Sequence, residues 1–211
     1  MKKERVFEGM RLSRIVVGLF VVFLCACAPV EQEVTEGILA SDALFWDGQF
    51  IVADVERVVD GDTIRITNLN VDYVSDAQLV EELLQIRTPL RVRFLAIDTP
   101  EWTNEKQWYG KESTELVQQL LSEENVVIEI DENADFDRFD RLLGHVFTTQ
   151  GVNVQEELLR NGLARVAYLY DDYQYVDMYI EAEAAAKDEE LHIHSIPDYV
   201  TERGFDMSVV E

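Results

Sequence analysis

The sequence predicts a small β-barrel with helices appended, an α+β fold. Three observations carry this reading: short β-branched runs in the middle of the chain, helical periodicity confined to segments between or after them, and no repeated strand–helix–strand alternation of the kind a doubly wound parallel sheet requires. The chain has 211 residues, room for one domain with appendages.

The elements follow in order. Lys2, Lys3, Arg5, Arg11 and Arg14 form a basic leader, and Ile15 to Ala26 is an uncharged apolar run. That run is shorter than the ~20 residues of a bilayer span and suits the hydrophobic part of an export signal. Its end, Leu24-Cys25-Ala26-Cys27, resembles a bacterial lipoprotein processing box, with Cys27 the better lipidation site because small Ala26 precedes it. An uncleaved signal anchor or plain secretion is the alternative. The chain thus divides into a signal peptide (1–26), an acidic tether (27–48), a folded domain (49–195) and a tail (196–211) that is ordered only if it docks. With Cys27 as the mature start, the folded part sits outside the membrane, lipid-anchored. No second thiol then remains for an intrachain disulfide, so stability rests on the core and any bound metal.

Phe50 to Ile66 carries β-branched residues on both sides of Asp60-Gly61-Asp62, which predicts two strands joined by a tight turn. Arg91 to Ile97 is a further strand. Between them, residues 67–89 read as an insertion, in which Ala77, Val80, Leu83 and Leu84 recur at helical spacing. Glu112 to Leu121 is an amphipathic helix with Leu116, Val117, Leu120 and Leu121 inward. Val126 to Ile130 and Leu142 to Phe147 are strands. Asn153 caps a helix that runs to Arg160 and is closed by Gly162. A last helix covers Tyr173 to Glu190, with Val176, Tyr179, Ala182 and Ala186 as its apolar stripe. Five strands with one inserted helix and others appended fit a barrel of the oligonucleotide-binding (OB) kind.

Charge argues against that association. Lys and Arg number 18 against 42 Asp and Glu, a formal net charge of −24. Without residues 1–26 the balance is 13 bases to 40 acids, or −27. Binders of nucleic acid are normally basic, so any such site here must be a small basic island assisted by divalent cations.

Two acidic clusters stand out at predicted strand ends, Asp60-Gly61-Asp62-Thr63 and Asp98-Thr99-Pro100-Glu101. Asp62 and Asp98 offer hard oxygen ligands suited to Ca²⁺, with the Thr99 carbonyl as a third. Each cluster alone reads equally as a turn or strand-ending signal. Arg93 lies five residues before Asp98. By strict alternation the two face opposite sides of a strand, so a shared site needs the strand to bend or end near Ile97. Arg141, on a short loop before a strand, is placed to grip a phosphate; the alternative is an ion pair with Asp137 or Asp140. His145 reads as structural, and His192 and His194 as surface residues. Among Tyr168, Tyr170, Tyr173 and Tyr175, Tyr168 is the one expected at a site.

The pieces VVDGDTI (58–64), RFLAIDTPE (93–101), YGKES (109–113), DRFDRLLGHVF (137–147) and VNVQEELLRNGLARVAYLY (152–170), in this order, resemble the thermonuclease (staphylococcal nuclease-like) domain family. The resemblance implies a five-stranded barrel with about three helices, one Ca²⁺ and cleavage of single-stranded or frayed DNA and RNA to 3′-phosphate products, by a monomer. It matches Asp62 and Asp98 to the metal ligands, Glu101 to the acid beside the attacking water, and Arg93 and Arg141 to the phosphate-gripping arginines. Asp60 matches an acid just behind the metal ligands, and Tyr168 an aromatic near the nucleotide. The chain departs from the pattern at Phe139-Asp140, where a tyrosine–glycine pair is usual, so Phe139 keeps a ring for stacking on a base but has no hydroxyl. The loop after Glu101 has only Lys106 as a base. The competing function is a module of the same barrel that binds nucleic acid or protein without catalysis; retention of Asp62, Asp98, Glu101, Arg93 and Arg141 together favours the enzyme. A purely structural acidic surface lipoprotein explains the charge but not the placement of the arginines.

Overall fold

A 12-residue strand, β1 (Gln49–Asp60), organises the molecule. The computed structural model describes residues 48–123 and 125–210; the leader, Cys27 and the tether lie outside them. β1 pairs through Gln49–Asp54 with β5 (Asn125–Ile130) and through Val52–Asp60 with β2 (Thr63–Asn70), both antiparallel. Three register shifts, at Val52/Asp54, Val55/Arg57 and Val58/Asp60, let this one strand coil far enough to serve both neighbours. β3 (Leu90–Phe94) and β6 (Leu142–Thr148) complete a closed barrel in the order β1-β2-β3-β6-β5. The β3–β6 pair is parallel, with Arg93 opposite Leu143.

The expected five-stranded OB-type barrel is therefore present, with four α-helices among the described residues. The helix inserted before β3 is α1 (Ala77–Gln85), capped by the Asp76 carboxylate on the Gln78 and Leu79 amides. Its buried face is Leu79 and Leu83 rather than the Ala77, Val80 and Leu84 stripe, and Leu84 is exposed. α2 (Gly110–Leu120) buries Val117, and Leu121 follows it into the core. In α3 (Val154–Arg160), the Asn153 side chain accepts from the Glu156 amide at 3.0 Å, and Gly162 follows in the left-handed region at φ 63°. α4 (Val176–Asp188) buries Tyr179, Ala182 and Ala186 as expected, but starts three residues later than predicted, after Tyr175 at φ 62°. Ile51, Ile64, Val92, Phe94, Ile128, Leu142 and Val146 from the strands meet Val117, Leu158, Leu159 and Tyr179 from the helices in one core. His145 is fully buried in it, with Nδ1 2.9 Å from the Tyr179 hydroxyl and Nε2 3.3 Å from Asp131, a structural role as expected.

One strand differs from expectation in a way that matters for the site. Arg91–Ile97 is not continuous. β3 stops at Phe94, Ala96 turns through φ 64°, and a two-residue strand, β4 (Ile97–Asp98), leaves in a new direction to pair with β7 (Arg165–Val166). The break that the sequence required near Ile97 falls at Leu95–Ala96.

Candidate active site

The turn after β1 brings the first acids to one rim of the barrel. Gly61 permits the approach: a β-carbon there would lie 2.7 Å from both the Ser113 Cβ of α2 and the Thr99 Oγ1. Thr99, after β4, is thereby set against Asp62, and its amide and hydroxyl both donate to Asp62 Oδ2, at 3.0 and 3.2 Å. The Thr63 hydroxyl donates to Asp62 Oδ1 at 3.0 Å.

Because the chain turns at Ala96, Arg93 and Asp98 face each other. Arg93 Nη2 donates to Asp98 Oδ1 at 3.1 Å, and Nη1 pairs with Asp62 Oδ1. One guanidinium thus bridges the two buried carboxylates proposed from sequence as metal ligands. Burial lowers the Arg93 pKa from its ordinary value, but a guanidinium stays charged in proteins. Asp98 is held from the other side by Arg165, whose Nε and Nη2 reach Asp98 Oδ2 at 3.0 and 2.9 Å. The Tyr168 hydroxyl donates to Asp98 Oδ1 at 3.4 Å, and its ring lies 5.7 Å from the Arg93 guanidinium carbon.

Sequence reasoning gave Arg165 no role. A buried cation in the apolar stretch Leu163-Ala164-Arg165-Val166-Ala167 is the signal that was available, since burying a charge without a partner is too costly to persist. Its partner is visible only once β7 pairs with β4, opposite Asp98.

Asp60 and Glu101 form a second acidic pair. Burial raises the Asp60 pKa above its ordinary value, and its Oδ1 is buried with no hydrogen-bond partner among the described residues. Burial and then the charge of Asp60 raise that of Glu101. Among the described residues no three His, Cys, Asp or Glu side chains stand in metal-ligand geometry. The donor type is nonetheless right for a hard cation, since the ligands available are carboxylate oxygens. A buried carboxylate oxygen without a partner, in a group close enough to Glu101 to raise its pKa, is the condition that a divalent cation nearby relieves.

Arg141 arrives from the opposite wall. Asp137 builds its loop, accepting from the amides of Phe139 and Arg141 at 2.9 and 3.0 Å and from Arg141 Nε at 2.8 Å. Of the two possible ion-pair partners read from sequence, Asp137 is the one engaged, with Arg141 Nη2 at 2.7 Å. Asp140 instead takes the left-handed turn position, φ 56°, where the family pattern has glycine, and its side chain is exposed. Arg91 fixes the loop from below, donating to the Phe139 carbonyl at 2.6 Å. The half-exposed Phe139 ring lies between Arg138 and Arg141, 4.8 and 5.6 Å from their guanidinium carbons.

A cleft of about 640 Å³ lies between the walls, lined by Arg93, Asp98, Glu101, Phe139, Arg141 and Tyr168 among others. Asp60, Asp62 and Thr99 lie buried beside it. All the expected site residues except Cys27, outside the described residues, thus fall at or next to one opening. Tyr170 and Tyr173 also line it, while Tyr175 packs edge-on to His145 and Phe147 instead. His192 is exposed with Nδ1 2.7 Å from the Asn161 carbonyl, and His194 is half-buried away from the cleft. Lys106 covers the Trp102 ring at 4.5 Å.

Comparison with known proteins agrees with this geometry. The model of a family described as "Staphylococcal nuclease homologue" matches residues 91–195. The chain is 37% identical over 168 residues to the SPbeta prophage-derived endonuclease YokF of Bacillus subtilis (strain 168), covering 77% of this chain and 50% of that protein. It is 34% identical over 145 residues to endonuclease YncB of the same organism, covering 67% of this chain and 68% of the relative. An uncharacterized endonuclease of Escherichia coli O157:H7 is 32% identical over 119 residues, 56% of this chain and 61% of that protein. The matched stretch thus spans half to about two-thirds of these relatives.

Proposed function

The chain belongs to the staphylococcal nuclease homologue family, and on that premise we propose that it is a calcium-dependent endonuclease hydrolysing phosphodiesters of DNA and RNA, single strands preferred. The observation that carries the proposal is the meeting of Arg93 and Arg141 with Asp98 and Glu101 at one cleft. In a chain of net charge −24, two arginines lining one cleft support an anionic substrate there.

Arg93 and Arg141 neutralise the charge that builds on the non-bridging oxygens as phosphorus becomes five-coordinate. This interaction is stronger in the transition state than in the ground state, and so raises turnover. Glu101 orients a water and accepts its proton as the water oxygen bonds to phosphorus. The bond to the 5′ oxygen breaks, that oxygen takes up a proton, and a 3′-phosphate remains. Phe139 and Tyr168 offer faces on which unpaired bases stack. Asp62 and Asp98 are the residues that would hold Ca²⁺, with the Thr99 carbonyl as a further donor and Asp60 behind them. Bound there, the ion would neutralise a phosphate oxygen and orient the group for attack.

Asp62→Asn, close in shape, is expected to raise the Ca²⁺ concentration for half-maximal rate by at least about tenfold, the lower end of the scale for losing even an outer partner of a metal ligand. Product ends on a labelled oligonucleotide should be 3′-phosphate and 5′-hydroxyl throughout. An unchanged calcium response would contradict the ligand assignment.

The basic leader, the short apolar run and Cys27 support an enzyme tethered by lipid to the outer face of a bacterial membrane. Among the described residues no helix is long and apolar enough to cross a membrane. Cells expressing the chain should incorporate labelled palmitate into it, and Cys27→Ser should abolish the label. Retained label in that variant would place the anchor elsewhere.

A further inference from the structure

The segment after Ser195 lies beyond the stretch that the family model matches, yet it is built into the domain. Val200–Thr201 and Gly204–Phe205 pair as a small hairpin (β8, β9), and Tyr199 just before it is fully buried. Chain ends are loosely held unless something ties them down. Here the Phe205 ring packs on Tyr199 at 5.4 Å, and the Asp206 amide donates to the Tyr199 carbonyl at 2.8 Å.

Two contacts lead from this hairpin to the cleft. The Tyr199 hydroxyl donates to the backbone carbonyl of Trp108 at 2.8 Å, 91 residues away in sequence. Burial pushes that hydroxyl up to about 12, so it stays protonated and able to donate at any working pH. Trp108 ends the loop that begins at Glu101, and the loop closes on itself at Gln107. The Gln107 side-chain oxygen accepts from the Glu101 amide at 2.8 Å, and the Gln107 amide donates to the Glu101 carbonyl at 2.9 Å. Gly110 lies so close that a β-carbon there would stand 2.3 Å from the Glu101 carbonyl oxygen. Position is therefore passed from Tyr199 through Trp108 and Gln107 to the Glu101 backbone. The second contact runs from the Phe205 ring to the Arg165 guanidinium, 5.9 Å away, and Arg165 holds Asp98.

We propose that the C-terminal hairpin is a brace for the catalytic loop, with Tyr199 a positioning residue that acts on Glu101 through the Trp108 carbonyl. This rests on the nuclease reading for its effect on turnover, but the bracing of the loop stands apart from it. The loop from Glu101 to Trp108 is mostly exposed and belongs to no helix or strand; the Thr103 hydroxyl ties its middle to the Val59 carbonyl at 2.8 Å, and the Tyr199 bond ties its far end, next to Gln107.

Tyr199→Phe in the full chain keeps the ring and its burial and removes only the hydroxyl. One net hydrogen bond sets the expected scale. Turnover on single-stranded DNA should fall about 3–10-fold with KM within twofold, and amide exchange at residues 101–110 should accelerate by a similar factor. Exchange in the barrel strands should stay unchanged, which separates the brace from a general loss of stability. Wild-type turnover together with wild-type loop exchange in the variant would overturn the brace. If the parent protein cleaves nothing, the nuclease reading fails by itself. Loop exchange then decides the brace: faster exchange in Tyr199→Phe upholds it, and unchanged exchange overturns it.

Discussion

Replacing Glu101 with glutamine is expected to lower turnover on single-stranded DNA by about 10²–10⁴-fold, the range for loss of a general base. Glutamine has nearly the shape of glutamate and can still hydrogen-bond a water, but it cannot take the proton. The Glu101 backbone is fixed independently of its side chain, by Gln107 and by the close approach of Gly110. The change also removes a negative charge beside Asp60, whose buried Oδ1 has no hydrogen-bond partner among the described residues. The melting temperature should therefore hold or rise. Single-turnover cleavage of an end-labelled oligonucleotide, beside a thermal melt, checks both halves. Turnover near that of the parent would remove Glu101 from the mechanism.

Arg141→Ala is the second large effect, with kcat lower by about 10²–10³-fold, the scale for losing one preorganised donor to a developing negative charge. Arg141 is the better test of the paired arginines because its removal is structurally mild. Its partner Asp137 is partly exposed and keeps two amide donors, from Phe139 and Arg141. An ion pair at such a surface contributes under about 1 kcal/mol. Arg93 is different: taking it away would leave the buried Asp62 carboxylate without its cation and Asp98 with Arg165 alone, and folding would suffer together with chemistry. Arg141→Lys should recover only part of the loss, since an ammonium cannot offer the planar fork of a guanidinium. Steady-state kinetics with a urea melt distinguishes the cases. A kcat unchanged in Arg141→Ala would mean that the ion pair with Asp137 is the whole role of this arginine.

The acidic composition and the basic cleft are compatible once charge is read locally. Arg93, Arg138 and Arg141 line the opening, Arg91 holds the Phe139 carbonyl of the loop that carries two of them, and Arg165 stands behind Asp98. Asp62, Asp98 and Asp137 pair with these same cations, so the gain in local positive charge over the acidic surface is modest. Binding that depends on few phosphate contacts weakens only gently with salt.

Signals that act over a few residues were legible in the sequence. The turn at Asp60–Thr63, the Asn153 cap, Gly162 at its positive φ and the five barrel strands all follow from local chemistry. What escaped depends on contacts distant in sequence or on an unmarked backbone choice. Ala96 adopts φ 64° within an apolar run, and alanine carries no mark of that conformation. The face of α1 was read only in part, because Ala77, Val80, Leu83 and Leu84 recur at helical spacing while packing against the barrel buries Leu79 and Leu83 and leaves Leu84 exposed. Arg165 gains its meaning from the β4–β7 pair, and the tail from a bond between Tyr199 and Trp108. Which residues would gather at the candidate cleft was largely legible because they cluster in short motifs at strand ends. Their mutual geometry, with Arg93 bridging two acids and Asp137 holding Arg141, needed the fold.

The central claim, that this cleft hydrolyses nucleic acid, is tested most directly by incubating denatured DNA with the purified protein, with Ca²⁺ and with a chelator, beside Glu101→Gln. The account predicts cleavage in Ca²⁺, none in chelator, and a loss of about 10²–10⁴-fold in the variant. A well-folded protein that leaves the DNA intact in Ca²⁺ across salt and pH would contradict it, and would point to the same barrel used for binding alone.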